Sequence, residues 1–175
     1  LVKDGFAVAD SQFTYAVGKL VLWSATPGYV DDQGQILSKG DFKHLALADP
    51  KLAPYGEAAV ELLKGLGIYD KLQPLFVQGE NIAQTQQFIS TGNAELGFLA
   101  LSQVFENGKI TGGSAWVVPV DKYKVILQDA ILLKTGVENP AALALLKFLK
   151  SPETLKIINN YGYELPKSSA LPEAG

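Results

Sequence analysis

The hydrophobic positions of this chain fall into short, wholly apolar runs that alternate with amphipathic stretches. Residues 20–23 (Leu-Val-Leu-Trp), 45–48 (Leu-Ala-Leu-Ala) and 96–100 (Leu-Gly-Phe-Leu-Ala) carry no polar side chain. Runs of that length, bounded by turn formers, predict strands covered on both faces. Residues 74–77 and 130–133 read as further strands, and 116–119 and 124–127 as strand ends around a turn. Between them the period changes to that of a helix. Over 55–64, Ala59, Val60, Leu62 and Leu63 form one face and Glu57, Glu61 and Lys64 the other, with Pro54 at the first helical position and Gly65 just past the end. Over 82–91, Ile82, Thr85, Phe88 and Ile89 point inward, and Gly92-Asn93 stops the helix. A short helix is expected over 102–107. Asn139-Pro140 opens an amphipathic helix over 141–149, with Lys147 and Lys150 at its end, and Ser151-Pro152-Glu153 opens another over 154–160. The stretch 24–40, with Pro27, three glycines and Asp31-Asp32, reads as loop and turns. Strands alternating with helices predict an α/β protein with a mainly parallel sheet. Its core is built on Leu45, Leu47, Leu62, Leu63, Phe88, Leu96, Phe98 and Leu99.

Composition narrows the chemistry. With 47% hydrophobic and 19% charged residues over 175 positions, the chain can bury a sizeable core. The net charge of −3 gives no electrostatic footprint for nucleic acid or for an anionic membrane. No run approaches the ~18 apolar residues of a membrane span. There is no Cys, so disulfides and thiolate metal sites are excluded. There is no Met, so Leu1 is read as something other than a native start, after either a cleaved signal peptide or an absent upstream part. All 15 basic residues are Lys, so any bound anion is held without a guanidinium fork. His44 is the single His and reads as a structural or surface residue. Asp31-Asp32 sits in a Gly-rich turn, where Asp serves the backbone. Glu80 has no acidic partner at helical spacing, and the Lys-Ser and Ser-Ser pairs near Lys167 lie in a tail without a catalytic setting. Trp23 and Trp116 flank strands and read as core or hinge-layer aromatics rather than stacking platforms. No nucleophile elbow, P-loop or dinucleotide fingerprint occurs, which counts against an enzyme.

Two strand–turn–helix junctions remain as candidates for function: residues 48–56 (Ala-Asp-Pro-Lys-Leu-Ala-Pro-Tyr-Gly) and 77–83 (Val-Gln-Gly-Glu-Asn-Ile-Ala). Ligands of open α/β sheets sit beyond the carboxyl ends of strands, where helices begin. A helix start offers unpaired N–H groups and the positive end of a dipole, so it can hold an oxyanion without a charged side chain.

The same residues carry a resemblance. Residues 15–24 (Tyr-Ala-Val-Gly-Lys-Leu-Val-Leu-Trp-Ser), 45–59 with their Asp-Pro…Ala-Pro-Tyr-Gly, and 79–85 with Gly-Glu-Asn resemble segments of the periplasmic molybdate/tungstate-binding proteins, the solute receptors of ABC transporters. Residues 91–104, 128–133, 139–142, 148–153 and 157–163 are similar to later segments of that family, so the likeness covers roughly 15–166. It implies a two-lobed type II periplasmic-binding-protein fold, α/β with mostly parallel sheets flanked by helices. Residues 22–126 would be the second lobe, and 1–21 and 127–175 an incomplete first lobe. It implies an oxyanion in the interlobe cleft, held on the second-lobe side by the backbone N–H groups of Tyr55 and Ile82, with Asn81, Ala83 and Ala100 as neighbours. Ala100 stands where some members place a strand-end tyrosine hydroxyl, so that contact is missing or replaced. The implied ligand is molybdate or tungstate, with no cofactor, no directly coordinated metal and no catalytic residue. The implied partner is a membrane permease, the location periplasmic, and the complete protein monomeric. Alternatives are a receptor of the same fold for sulfate or another small solute, and the ligand-sensing domain of a transcriptional regulator. Because family members begin with strands and helix starts upstream of Leu1, the apolar faces of the last two helices, with Leu143, Leu146, Phe148, Leu149 and Ile157, are expected to lie exposed.

Overall fold

The computed structural model describes residues 1–166, and the Lys-Ser-Ser segment at 167–169 lies outside the described residues. Its centre is a five-stranded sheet. The strands are β2 (Leu20–Ser24), β3 (Leu45–Ala48), β4 (Phe76–Gly79), β5 (Leu96–Ala100) and β8 (Ser114–Val117), in the order β4-β3-β5-β2-β8. β3 runs parallel to β4 and β5, whereas β2 runs antiparallel to both β5 and β8. Four strands therefore share one direction and β2 is inserted against them.

The apolar runs have a simple cause. Successive side chains of a strand point to opposite faces, and each face of this sheet is covered by a helix. Leu20, Leu22, Leu45, Leu47, Leu96 and Phe98 pack with Ala58, Ala59, Leu62 and Leu63 of α2 (Pro54–Gly65). Val21, Trp23, Ala46 and Leu99 face the other way and pack with Ile89 of α4 (Ile82–Ser90). Burying each leucine completely is worth about 1.5–3 kcal/mol, so the two-sided pattern is the main source of stability in this part. Two glycines let the helices approach. A Cβ on Gly56 would collide with the carbonyl oxygen of Ala48, and one on Gly97 would lie 2.7 Å from the Ala46 Cβ and 2.8 Å from Ile89 Cδ1. Every residue of the expected core is buried except Phe88, which is half-buried against the α4 side.

A second structural unit is the ribbon of β1 (Phe13–Gly18) and β9 (Ile126–Ala130), paired antiparallel with Gly18 opposite Ile126 and an irregularity between Thr14 and Ala16. β1 runs directly into β2 through Lys19. After α5 (Pro140–Leu149) and α6 (Pro152–Asn160) the chain returns to this ribbon, where Val17 and Glu164 exchange backbone hydrogen bonds of 2.8 and 3.0 Å. The remaining elements are α1 (Ile36–Lys39), α3 (Tyr69–Leu72) and the two-residue strands β6 (Phe105–Glu106) and β7 (Lys109–Ile110). Leu143, Phe148 and Ile157 of α5 and α6 are exposed, and Leu146 and Leu149 are half-buried.

Several boundaries differ from the expectation. α2 runs through Gly65, and the left-handed residue that ends it is Gly67 (φ 69°). The Gly67 and Ile68 N–H groups donate back to the carbonyls of Lys64 and Leu63, so the helix gains one residue and its left-handed stop falls two positions later than expected. The strand expected at 74–77 is β4, displaced toward Gly79 because Gln73–Leu75 forms a 3-10 turn around Pro74. The helix expected over 102–107 is absent. A 3-10 turn at Leu101–Gln103 leads instead into the β6–β7 hairpin, whose turn places Asn107 and Gly108 at positive φ. The strand expected at 130–133 is the continuation of β9, which carries on past Ala130 as an isolated bridge of Leu133 with Ala7.

Candidate functional site

The carboxyl ends of β3 and β4 lie side by side, with Ala48 paired to Gly79. The Asp49 N–H donates to the Gly79 carbonyl at 2.7 Å and joins the two strand–helix turns. In the first turn, the Asp49 carboxylate accepts from the Lys51 N–H at 2.8 Å, and its carbonyl accepts from Leu52 and Ala53. Ala53 is the extended N-cap residue of α2, and Pro54, which has no N–H, follows it. The first N–H of α2 is therefore that of Tyr55, and no acceptor among the described residues takes it.

In the second turn, Asn81 caps α4 by accepting from the Gln84 N–H at 2.9 Å, while Gln84 Oε1 accepts from the Glu80 N–H at 2.7 Å. That reciprocal pair leaves the N–H groups of Ile82 and Ala83 without an acceptor among the described residues. Gly79 makes the turn tight, since a Cβ there would lie 2.8 Å from Thr85 Oγ1 and 3.0 Å from the Thr85 nitrogen.

Ala100 is brought to the same place by a residue the sequence did not single out. Gln103 accepts from the Ala100 N–H at 3.1 Å and donates to the Ile82 carbonyl at 3.2 Å and to Gln86 Oε1 at 3.0 Å. The end of β5 is thus tied to the start of α4. The Ala100 N–H is consumed by this bond, so Ala100 contributes a wall and no donor. Its bond to Ala100 is local, three residues apart, but its two partners on α4 are 17 and 21 positions away, and nothing local in the sequence marks those.

The side chain of Tyr55 points away from its own N–H, toward the β1–β9 ribbon. It is 8% exposed. Burial first, and then the neighbouring Tyr163, push its hydroxyl well above the ordinary phenol range. Tyr163 accepts a hydrogen bond from the Ser102 hydroxyl at 2.9 Å, and Tyr123 accepts one from the Leu20 N–H at 3.0 Å. Burial also raises Tyr123, against the lowering effect of that N–H. A pocket of ≈ 290 Å³, lined by Tyr15, Ala16, Ser102, Ile157, Ile158, Tyr161 and Tyr163, lies on this ribbon side. It does not include the two helix starts. The free N–H groups of Tyr55, Ile82 and Ala83 lie outside its lining.

The remaining candidates have structural uses. Asp31 Oδ1 accepts from the Gln33 and Gln35 N–H groups at 2.9 and 3.1 Å, and these bonds hold its carboxyl below the usual range. His44 is exposed, and its N–H donates to Glu95 Oε2 at 2.9 Å. Trp23 is buried and donates to the Gly112 carbonyl at 2.8 Å, and Trp116 packs half-buried beneath Gly34. Among the described residues no group of three or more His, Cys, Asp or Glu side chains is placed to hold a metal ion.

The family model for bacterial extracellular solute-binding proteins matches residues 1–164. The molybdate-binding protein ModA of Azotobacter vinelandii is 59% identical over 165 residues, covering 94% of this chain and 66% of its own length. ModA of Rhodobacter capsulatus is 59% identical over 162 residues, covering 93% of this chain and 63% of its own length. The chain thus spans just under two thirds of these relatives. The solved periplasmic molybdate-binding protein of Azotobacter vinelandii superposes with a TM-score of 0.89 at 41% identity, over 94% of this chain and 72% of that one. On these findings the chain belongs to the bacterial extracellular solute-binding protein family.

Proposed function

We propose that this chain is part of a periplasmic receptor for molybdate or tungstate that delivers the oxyanion to an ABC-transporter permease, and that it catalyses no reaction. The observation that carries the reading is the pair of adjacent helix starts, whose N–H groups at Tyr55 and Ile82 have no acceptor among the described residues. Two positive dipole ends that follow neighbouring strand ends favour a dianion, and neutral donors suit a chain whose cations are all Lys. Asn81, Ala83 and Ala100 frame the site. The identity to two molybdate-binding proteins supports the choice of ligand.

We assign residues 22–126 to one lobe, and 1–21 and 127–175 to part of the other. In support, the five-stranded sheet is confined between Leu20 and Val117, and β1, β9 and the Val17–Glu164 pairing connect it to α5 and α6. Closure about these connections would desolvate the bound dianion. Donors from the other lobe complete the site, so the 1–175 polypeptide by itself binds molybdate weakly.

The test is ligand-dependent melting of the full-length protein. Molybdate and tungstate should raise the melting temperature as RT ln(1 + [L]/Kd) requires, and sulfate or phosphate much less. An equal or larger shift with sulfate removes the molybdate assignment and leaves a sulfate receptor of the same fold.

A further inference from the structure

Gly18 is the last residue of β1, buried and paired to Ile126 of β9, where the ribbon passes into the sheet. Its φ is not in the left-handed region, so glycine is not required there for backbone freedom. It is required for space. A Cβ at Gly18 would collide with the Tyr55 hydroxyl, and would lie 3.1 Å from Tyr55 Cζ and 3.3 Å from Ile126 Cγ2. The tip of the Tyr55 ring therefore occupies a notch in the crossing strand, walled by the returning strand. Tyr163, held by Ser102, stands beside it. The same residue supplies the first N–H of α2 at its other end. The Lys124 N–H, two residues before β9, donates to Glu61 Oε2 of α2 at 2.7 Å and gives the helix a second anchor on this side.

We infer that Tyr55 is a positioning residue. Its ring, seated in the Gly18 notch, fixes the start of α2 relative to the two connecting strands and so couples the hinge to the anion-binding N–H of the same residue. The inference rests on the proposed oxyanion site but adds a role for a side chain that makes no contact with the ligand. It predicts a specific pair. Filling the notch displaces the ring, and trimming the ring relieves the displacement.

The experiment is a double-mutant cycle in the full-length protein, with molybdate affinity by calorimetric titration and closure by the change in radius of gyration on adding molybdate. Gly18→Ala should weaken binding by about tenfold or more and reduce the closure signal, Tyr55→Phe by no more than about fivefold, and the double variant should recover most of the Gly18→Ala loss. If Gly18→Ala costs the same factor with and without the Tyr55→Phe substitution, the inference is overturned. Tyr55→Leu keeps the N–H and empties the notch. It should weaken binding by about fivefold or more with the far-ultraviolet spectrum unchanged, and wild-type affinity and closure in that variant would also overturn the inference. Should the wild type bind neither molybdate nor tungstate, the proposed function fails separately. The notch is then judged on ligand-free melting temperatures: Gly18→Ala must lower them and added Tyr55→Phe must restore them.

Discussion

α2 and α5 are helices of similar length with opposite fates. α2 buries Tyr55, Gly56, Ala58, Ala59, Leu62 and Leu63, although Glu57, Glu61 and Lys64 interrupt it. α5 is apolar at every position except Pro140 and Lys147, yet none of its residues is buried. Leu145 is 57% exposed and Leu143 is 46% exposed. Both helices open with proline after an extended N-cap residue, so the local signals that begin them are the same kind. The difference lies in what the chain brings to them. β2, β3 and β5 present Leu20, Leu22, Leu45, Leu47, Leu96 and Phe98 to α2, whereas α5 meets chiefly α6. Hydrophobic content sets how much a helix can gain from burial, and the sheet beside it sets how much it does gain.

The largest effect that tests this contrast is truncation. Leu63→Ala should destabilise the 1–175 polypeptide by about 2–5 kcal/mol, and Leu145→Ala by no more than about 0.5 kcal/mol, in urea unfolding. A cost at Leu145 close to that at Leu63 would mean that α5 is covered in solution. The next effect concerns the helix starts. Tyr55→Pro removes a donor from α2 and should weaken molybdate binding by the full-length protein by roughly 1–3 kcal/mol, and Ile82→Pro should act similarly through α4. Ala142→Pro, early in α5, should leave affinity unchanged. Wild-type affinity in both site variants with the fold intact would place the anion elsewhere.

Capping should separate the two regions less. Asn81→Ala and Asn139→Ala each remove a side chain that accepts from a helix N–H, at 2.9 Å from Gln84 and 3.0 Å from Ala141. Each should cost about 0.5–2 kcal/mol in thermal unfolding, because a cap is a local bond whatever its helix packs against. Very unequal losses would show that the cap energy depends on the packing behind it.

The smallest effect is a pH dependence of the ribbon. Asp129 of β9 accepts from Thr14 Oγ1 at 2.6 Å and Gln12 Nε2 at 2.8 Å, and these bonds lower its folded pKa. A lowered carboxyl contributes stability above its unfolded value of 3.8 and loses it as pH falls through the folded value. Exchange of the β1 and β9 amides should therefore accelerate below that pH before exchange in β3 or β5, and Asp129→Asn should flatten the dependence. Simultaneous loss of protection in all four strands would show that ribbon and sheet open as one unit.

Much of the sheet half was legible in the sequence. The runs at Leu45–Ala48 and Leu96–Ala100 became β3 and β5 at the expected residues, because a strand covered on both faces has no polar position to blur its ends. The N-terminus of α2 at Pro54 and the openings of α5 at Asn139 and of α6 at Ser151 were readable because each is a bond or a restriction between near neighbours. The unpaired N–H groups at the two helix starts were readable for the same reason: they follow from the first turn itself.

Tertiary structure decided the rest. The antiparallel insertion of β2 between β5 and β8 depends on where β1 delivers the chain, and no residue of 20–24 encodes a direction. The 101–110 segment has apolar residues at spacings that serve a helix as well as a hairpin, and its docking beside β5 and the α6 end selected the turn and hairpin. Gln103 as a clamp depends on Gln86 and Ile82, 17 and 21 positions away, and Gly18 as a notch on the more distant Tyr55 and Ile126. A sequence displays the interactions whose partners are neighbours. Those that close long loops, the contact of Tyr55 with Gly18 among them, exist only once packing has brought the elements together and offset the entropy of that closure.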